Sequence, residues 1–147
     1  MGTRSFITLA TEGSYKGARC HWDGHLEHNG RLLYEHYKDS FDVAMLLGMG
    51  DMSRLGKSIG EKTSFDDPAP DQCVFYARDR AEEQKIATTP TLSRMLRYAE
   101  HSGAQYFYLF DGHHWQYAEL DYQLSSCNEN RFGTLKSLEA ALAQGGN

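Results

Sequence analysis

Cys20, His21, His25 and His28 place four zinc-type side chains within nine residues, in the stretch Cys20-His21-Trp22-Asp23-Gly24-His25-Leu26-Glu27-His28-Asn29-Gly30. The spacing suits zinc poorly. Zinc patterns hold two close pairs apart by a longer arm so that four donors surround the ion, and on a strand Cys20 and His21 point to opposite faces. The four are therefore weak metal candidates, and no metal or other cofactor is expected. Glu27-His28 does not complete an H-E-x-x-H pair either. Thr3, Ser5 and Cys20 are candidate nucleophiles without a local base and orienting group, and removal of Met1 would expose only Gly2.

The arginines offer a better-supported chemistry. Arg4 precedes an apolar run, Arg19 adjoins the histidine stretch, and Arg78 and Arg80 flank Asp79. Guanidinium forks bind phosphate or carboxylate in a planar, bidentate manner. With Trp22, Tyr76 and Trp115 as stacking surfaces, and His28-Asn29 at an expected helix start whose free N–H groups favour an anion, they would suit a nucleotide-like ligand. The expected binding set is Arg4, Trp22, His28, Asn29, Tyr76, Arg78, Arg80 and Trp115. The plainer alternative makes Arg78-Asp79-Arg80 a solvated charge triplet and both tryptophans core residues.

These residues need a scaffold, and the 147-residue chain is long enough to provide one domain, 1–147, with its own core. The formal charge of −5 argues against a polynucleotide partner, which calls for a basic field. The three cysteines, Cys20, Cys73 and Cys127, form no CxxC pair and read as reduced thiols of a cytoplasmic protein. No run approaches the length of a membrane span.

Ser5 to Thr11 alternates as a strand, and Tyr15 to Trp22 is its expected hairpin partner across Glu12-Gly13-Ser14. Asn29 is the expected cap of a helix carrying Leu32, Leu33, His36 and Tyr37, and Ser40 the cap of a second over Phe41 to Leu47. The glycine-punctuated segment Gly48 to Thr63 reads as ordered loop, and Asp66 to Asp71 as a surface loop. Cys73 to Ala77 is expected as a strand, with Gln84 to Thr88 returning beside it. Thr89-Pro90 opens a helix with the stripe Leu92, Met95, Leu96 and Ala99, ending at Gly103. Gln105 to Phe110 and His113 to Leu120 form a hairpin about Asp111-Gly112, and Thr134 caps a last helix with Leu135, Leu138 and Leu142, fraying from Gly145. The expected class is α+β: an antiparallel sheet built from hairpins, with helices packed on one or both faces.

Met1-Gly2-Thr3-Arg4-Ser5 before an apolar strand, His21-Trp22-Asp23-Gly24, Glu27-His28-Asn29-Gly30, Phe75-Tyr76-Ala77-Arg78-Asp79-Arg80 and Tyr108-Leu109-Phe110-Asp111-Gly112 together resemble a group of small bacteriophage proteins without a settled activity. The resemblance covers most of the chain, although the related pattern carries Tyr where this sequence has His25. It implies a viral accessory protein acting in the host cytoplasm. The leading expectation is a non-catalytic protein that sequesters a nucleotide-derived anionic small molecule, such as a host defence signal. One alternative is a metal- or His-dependent hydrolase or lyase acting on a phosphate-containing substrate. Another is an inhibitor of a host enzyme that uses the aromatic hairpin Tyr106 to Tyr117 as its contact face. The expected partner is a nucleotide-like small molecule or a host protein, with no polynucleotide and no membrane, and self-association is left open.

Overall fold

The computed structural model describes residues 2–124 and 131–144. Cys127 and the tail from Gly145 lie outside the described residues. The fold is mixed α+β, an eight-stranded sheet that is mostly antiparallel, with helices packed on it.

Strands β1 (Ser5–Thr11) and β2 (Ser14–Cys20) form the expected hairpin, closed at Gly13 with φ +80, a conformation that glycine adopts without steric penalty. β2 ends at Cys20 rather than Trp22, because His21 and Trp22 donate their amides to the carbonyls of Met52 and Ser53 instead. Those residues belong to β3 (Met52–Arg54), a short strand inside the segment expected to be loop, which runs parallel to β2. β4 (Val74–Phe75) pairs antiparallel with β3. β5 (Ala87–Thr89) was expected beside the Cys73 strand, and lies instead against Tyr15–Gly17 of β2. β6 (Tyr106–Phe110) runs parallel to β1, then pairs with β7 (Trp115–Glu119), which pairs with β8 (Lys136–Ser137). The expected all-antiparallel sheet is thus corrected at two places, β1 with β6 and β2 with β3.

Strand alternation sends two apolar sets to opposite faces. Ile7, Leu9, Ala18, Cys20, Tyr108, Phe110, Trp115 and Tyr117 pack beneath α1 (Arg31–His36), α2 (Ser40–Leu47) and α5 (Leu138–Ala143). Phe6, Phe107, Leu109 and Ala118 pack on the other face beneath Met95 and Ala99 of α4 (Leu92–His101). Each fully buried aromatic of this kind contributes about 2–3 kcal/mol through removal from water. Helices therefore cover both faces. No helix among the described residues is long and apolar enough to cross a membrane.

Several helix starts differ from the sequence reading by a residue or a few. Asp39, not Ser40, caps α2 by accepting from the Asp42 amide. Thr91 replaces Thr89 as the cap of α4, because pairing with Tyr15 draws Thr89 into β5. Ser137 replaces Thr134 at α5, since Lys136 and Ser137 are held by β7. In the aromatic hairpin the turn widens to Asp111 through His114, because the Asp111 carboxylate accepts from the amides of both His113 and His114.

The larger correction concerns Cys73 to Ala77. Only Val74 and Phe75 remain in a strand, and Tyr76–Arg80 turns into a short helix, α3. Asp79 explains the switch. Its carboxylate reaches back to the Phe75 amide at 2.9 Å and satisfies a free donor at the helix start, while left-handed Ala81 closes the other end.

Candidate functional site

The stretch Cys20–Gly30 is held as an ordered loop by buried polar contacts rather than by a ligand. Asp23 takes φ +58, and Gly24 donates to the Thr3 carbonyl at 2.8 Å while its own carbonyl accepts from the Tyr108 hydroxyl at 2.6 Å. A Cβ on Gly24 would stand 2.8 Å from the Ser5 Cβ, so only glycine permits this approach to β1. Leu26–Gly30 then forms a π-helical turn leading into α1. That extra residue places Asn29 inside the molecule instead of at a helix cap. Asn29 is fully buried, and its Nδ2 donates to Ser5 Oγ, Cys20 Sγ and the Trp22 carbonyl. Its Oδ1 lies 2.9 Å from Nδ1 of His28.

The four metal candidates do not converge. Cys20 is fully buried, and desolvation pushes its thiol up to about 12 despite the Asn29 contact. His25 is exposed, and His28 faces Asp23 with Nε2 to Oδ2 at 4.0 Å. His21 lies beyond β2 against Trp22, with ring centroids 4.7 Å apart. Among the described residues no three His, Cys, Asp or Glu side chains are grouped to hold a metal ion.

The expected anion-binding set does not come together at one place. Trp115 is core: it is 5% exposed, packs on Phe110 and donates its indole N–H to the Tyr37 carbonyl at 2.8 Å. Asn29 and His28 belong to the loop just described. Arg78 has all five guanidinium donors engaged within the chain, on both Asp79 oxygens and on the carbonyls of Ile59, Gly60 and Cys73. It also covers the Phe75 ring. The helical form of 76–80 accounts for its direction: Tyr76 and Arg80 are i, i+4 neighbours on one side, and Arg78 is turned about 200° from Arg80 instead of sharing a strand face with it.

Tyr76 and Arg80 are the two members of the set that share a cavity. They line a cavity of about 240 Å³ together with Arg19, His21, Asp51, Glu82, Glu83 and Lys85. Arg80 lies over the rings of Phe65 and Tyr76 and pairs with Glu82. The Arg19 amide donates to Asp51 Oδ1 at 3.0 Å, which fixes that carboxylate at the cavity wall. Trp22, 44% exposed, stands next to His21 with one part of its indole covered by Gly2.

Two guanidiniums here are unusual. Arg4 and Arg19 each carry a buried Nε without a hydrogen-bond partner, and neither forms a side-chain hydrogen bond or ion pair among the described residues. A buried donor left unpaired costs about 1–3 kcal/mol, more when charged. Register pairs Phe6 with Arg19 across the hairpin, so Arg4, Arg19 and His21 gather at one end of the β1–β2 ladder on the α4 face. Burial first, then the charges of Arg4 and Arg19, hold the His21 pKa below its usual value.

Two other cavities are larger, and part of the polar wall of each is already paired. In the cleft of about 440 Å³ between α1 and the aromatic hairpin, Tyr34 bonds Glu139 at 3.0 Å and Asp111 holds two backbone amides. In the cleft of about 400 Å³ beside His28 and His36, Arg31 is bound by Glu27 and Glu35, and Arg54 by the Ala69 carbonyl. Asp51 and Lys85 were absent from the sequence reading. No local pattern announces them, since they reach the cavity only through the bond from the Asp51 amide to the Lys85 carbonyl. Comparison with protein-family models, with curated proteins and with solved structures finds no match.

Proposed function

We propose that this protein binds and sequesters a nucleotide-derived anionic small molecule at the cavity lined by Arg19, His21, Tyr76, Arg80 and Lys85, with Arg4 and Trp22 as neighbours of His21 outside that lining. The observation that carries the reading is the unpartnered pair Arg4 and Arg19. Both guanidiniums depress the pKa of His21, and an anion placed against them relieves that effect. Trp22 provides the open aromatic surface, since Tyr76 is already in contact with Phe65 and Arg80. Taken with the bacteriophage resemblance, the reading is capture of a host defence signal.

Capture is preferred over catalysis on chemical grounds. Cys20 and Cys73 are buried, with thiols raised chiefly by desolvation, so neither supplies a thiolate at neutral pH. A thermal-shift and calorimetric screen against cyclic and linear nucleotides tests the proposal, with recovery of the ligand by mass spectrometry. Saturable binding of a nucleotide recovered intact is the expected result. Absence of binding across the panel, or steady conversion of the ligand to product, would count against it.

A further inference from the structure

The charge pattern of the cavity narrows the ligand class. This inference rests on the binding reading above. Three cations line the wall, Arg19, Arg80 and Lys85, against three carboxylates, Asp51, Glu82 and Glu83. Arg80 and Glu82 close on each other. Arg19 and Lys85 then remain to receive an anion, with Asp51 and Glu83 lining the same small space, and Arg4 adds one positive charge that acts on His21.

We propose that the site selects a nucleotide bearing a single negative charge, a phosphodiester of the cyclic mononucleotide class, and disfavours polyphosphates. One phosphate against Arg19 and Arg4, beside His21, is matched by the local field. A triphosphate would bring its further charges against Asp51, Glu82 and Glu83, where like charges in a confined site repel strongly. The cavity is small, about 240 Å³, which suits a compact ligand. The carboxylates also have a positive use. Glu83, and the oxygen of Asp51 not bound by the Arg19 amide, are acceptors that suit the exocyclic amino group of adenine, which uracil lacks.

Calorimetric titration of the full chain with adenosine 3′,5′-cyclic monophosphate, uridine 3′,5′-cyclic monophosphate and magnesium-free adenosine triphosphate tests this. The cyclic adenosine ligand is expected to bind about tenfold or more tightly than the triphosphate, and more tightly than the cyclic uridine ligand. Glu83→Gln should narrow the gap between the two bases. Equal or tighter binding of the triphosphate overturns the charge selection and leaves anion capture standing. Binding of none of the three, with inorganic phosphate also silent, overturns the site itself.

Discussion

Nδ2 of Asn29 lies 3.3 Å from Sγ of Cys20, and the same nitrogen bonds Ser5 Oγ and the Trp22 carbonyl at 3.2 Å. One carboxamide therefore ties the end of β2 to the start of β1 and to the π-helical turn. Trp22 and His21 are placed by that tie. Asn29→Ala leaves a buried carbonyl without its donor, and a loss of about 2–3 kcal/mol in denaturant-induced unfolding is expected. A change under about 0.5 kcal/mol would mean that the loop is fixed by its backbone contacts alone.

Arg78 is expected to act on stability and not on ligand affinity. Its guanidinium is mostly buried, and the Asp79 side chain is fully so. Arg78→Ala strands that carboxylate, and a loss of about 3–5 kcal/mol is expected from urea unfolding. Arg78→Lys should be destabilised less while retaining wild-type Kd.

Asp79 gives the protein an acid-sensitive contact. Burial pushes its pKa up, but the Arg78 guanidinium and the amides of Phe75 and Thr63 outweigh burial, and the net displacement is downward. A depressed carboxyl pKa contributes stability that is present above the unfolded value, near 3.8, and is lost as pH falls through the folded value. Unfolding free energies measured from neutral pH down to pH about 2 should show this acid limb, and Asp79→Asn should flatten it.

Ligand capture should be linked to protonation of His21. The free imidazole is held below its usual pKa by burial and by Arg4 and Arg19, while Asp51, Glu82, Glu83, Arg80 and Lys85 line the same cavity. An anion between the guanidiniums reverses the largest electrostatic penalty, so the bound pKa is higher than the free one. Protons are then taken up on binding in the window between the two, and affinity falls as pH rises through it. Titration in two non-phosphate buffers of different ionisation heat measures the uptake. Heats independent of buffer near pH 6 would remove His21 from the site.

The tryptophans give a direct optical readout. Trp22 is 44% exposed and Trp115 is core, so bound nucleotide should quench the red-shifted part of the emission and leave the blue-shifted part. Trp22→Leu should weaken binding by about 1–3 kcal/mol if a base stacks there.

Local chemistry in the sequence carried much of the scaffold. The β1–β2 hairpin, the apolar stripe of α4 and the aromatic hairpin all have periodic patterns that tertiary context reinforces. What stayed hidden depended on contacts between distant residues. Tyr76–Arg80 reads as the end of a strand until Asp79 is seen capping Phe75, and that one helix separates Arg78 from Arg80. Asn29 has the composition of a cap, yet the π-helical turn carries it inward. The cavity itself is only partly legible: of the expected binding set Tyr76 and Arg80 line it and Arg4 and Trp22 do not, whereas Asp51, Glu82, Glu83 and Lys85 come to it from the residue before β3 and from the chain before β5.

The pairing of Arg4 with Arg19 as an anion clamp is tested most directly by the Kd of adenosine 3′,5′-cyclic monophosphate for the wild-type chain, Arg4→Ala, Arg19→Ala and Arg78→Lys, each checked for folding by circular dichroism. Arg19→Ala should weaken binding by about tenfold to a hundredfold and Arg4→Ala by somewhat less, with Arg78→Lys unchanged. Wild-type affinity retained by folded Arg4→Ala and Arg19→Ala proteins would contradict the account.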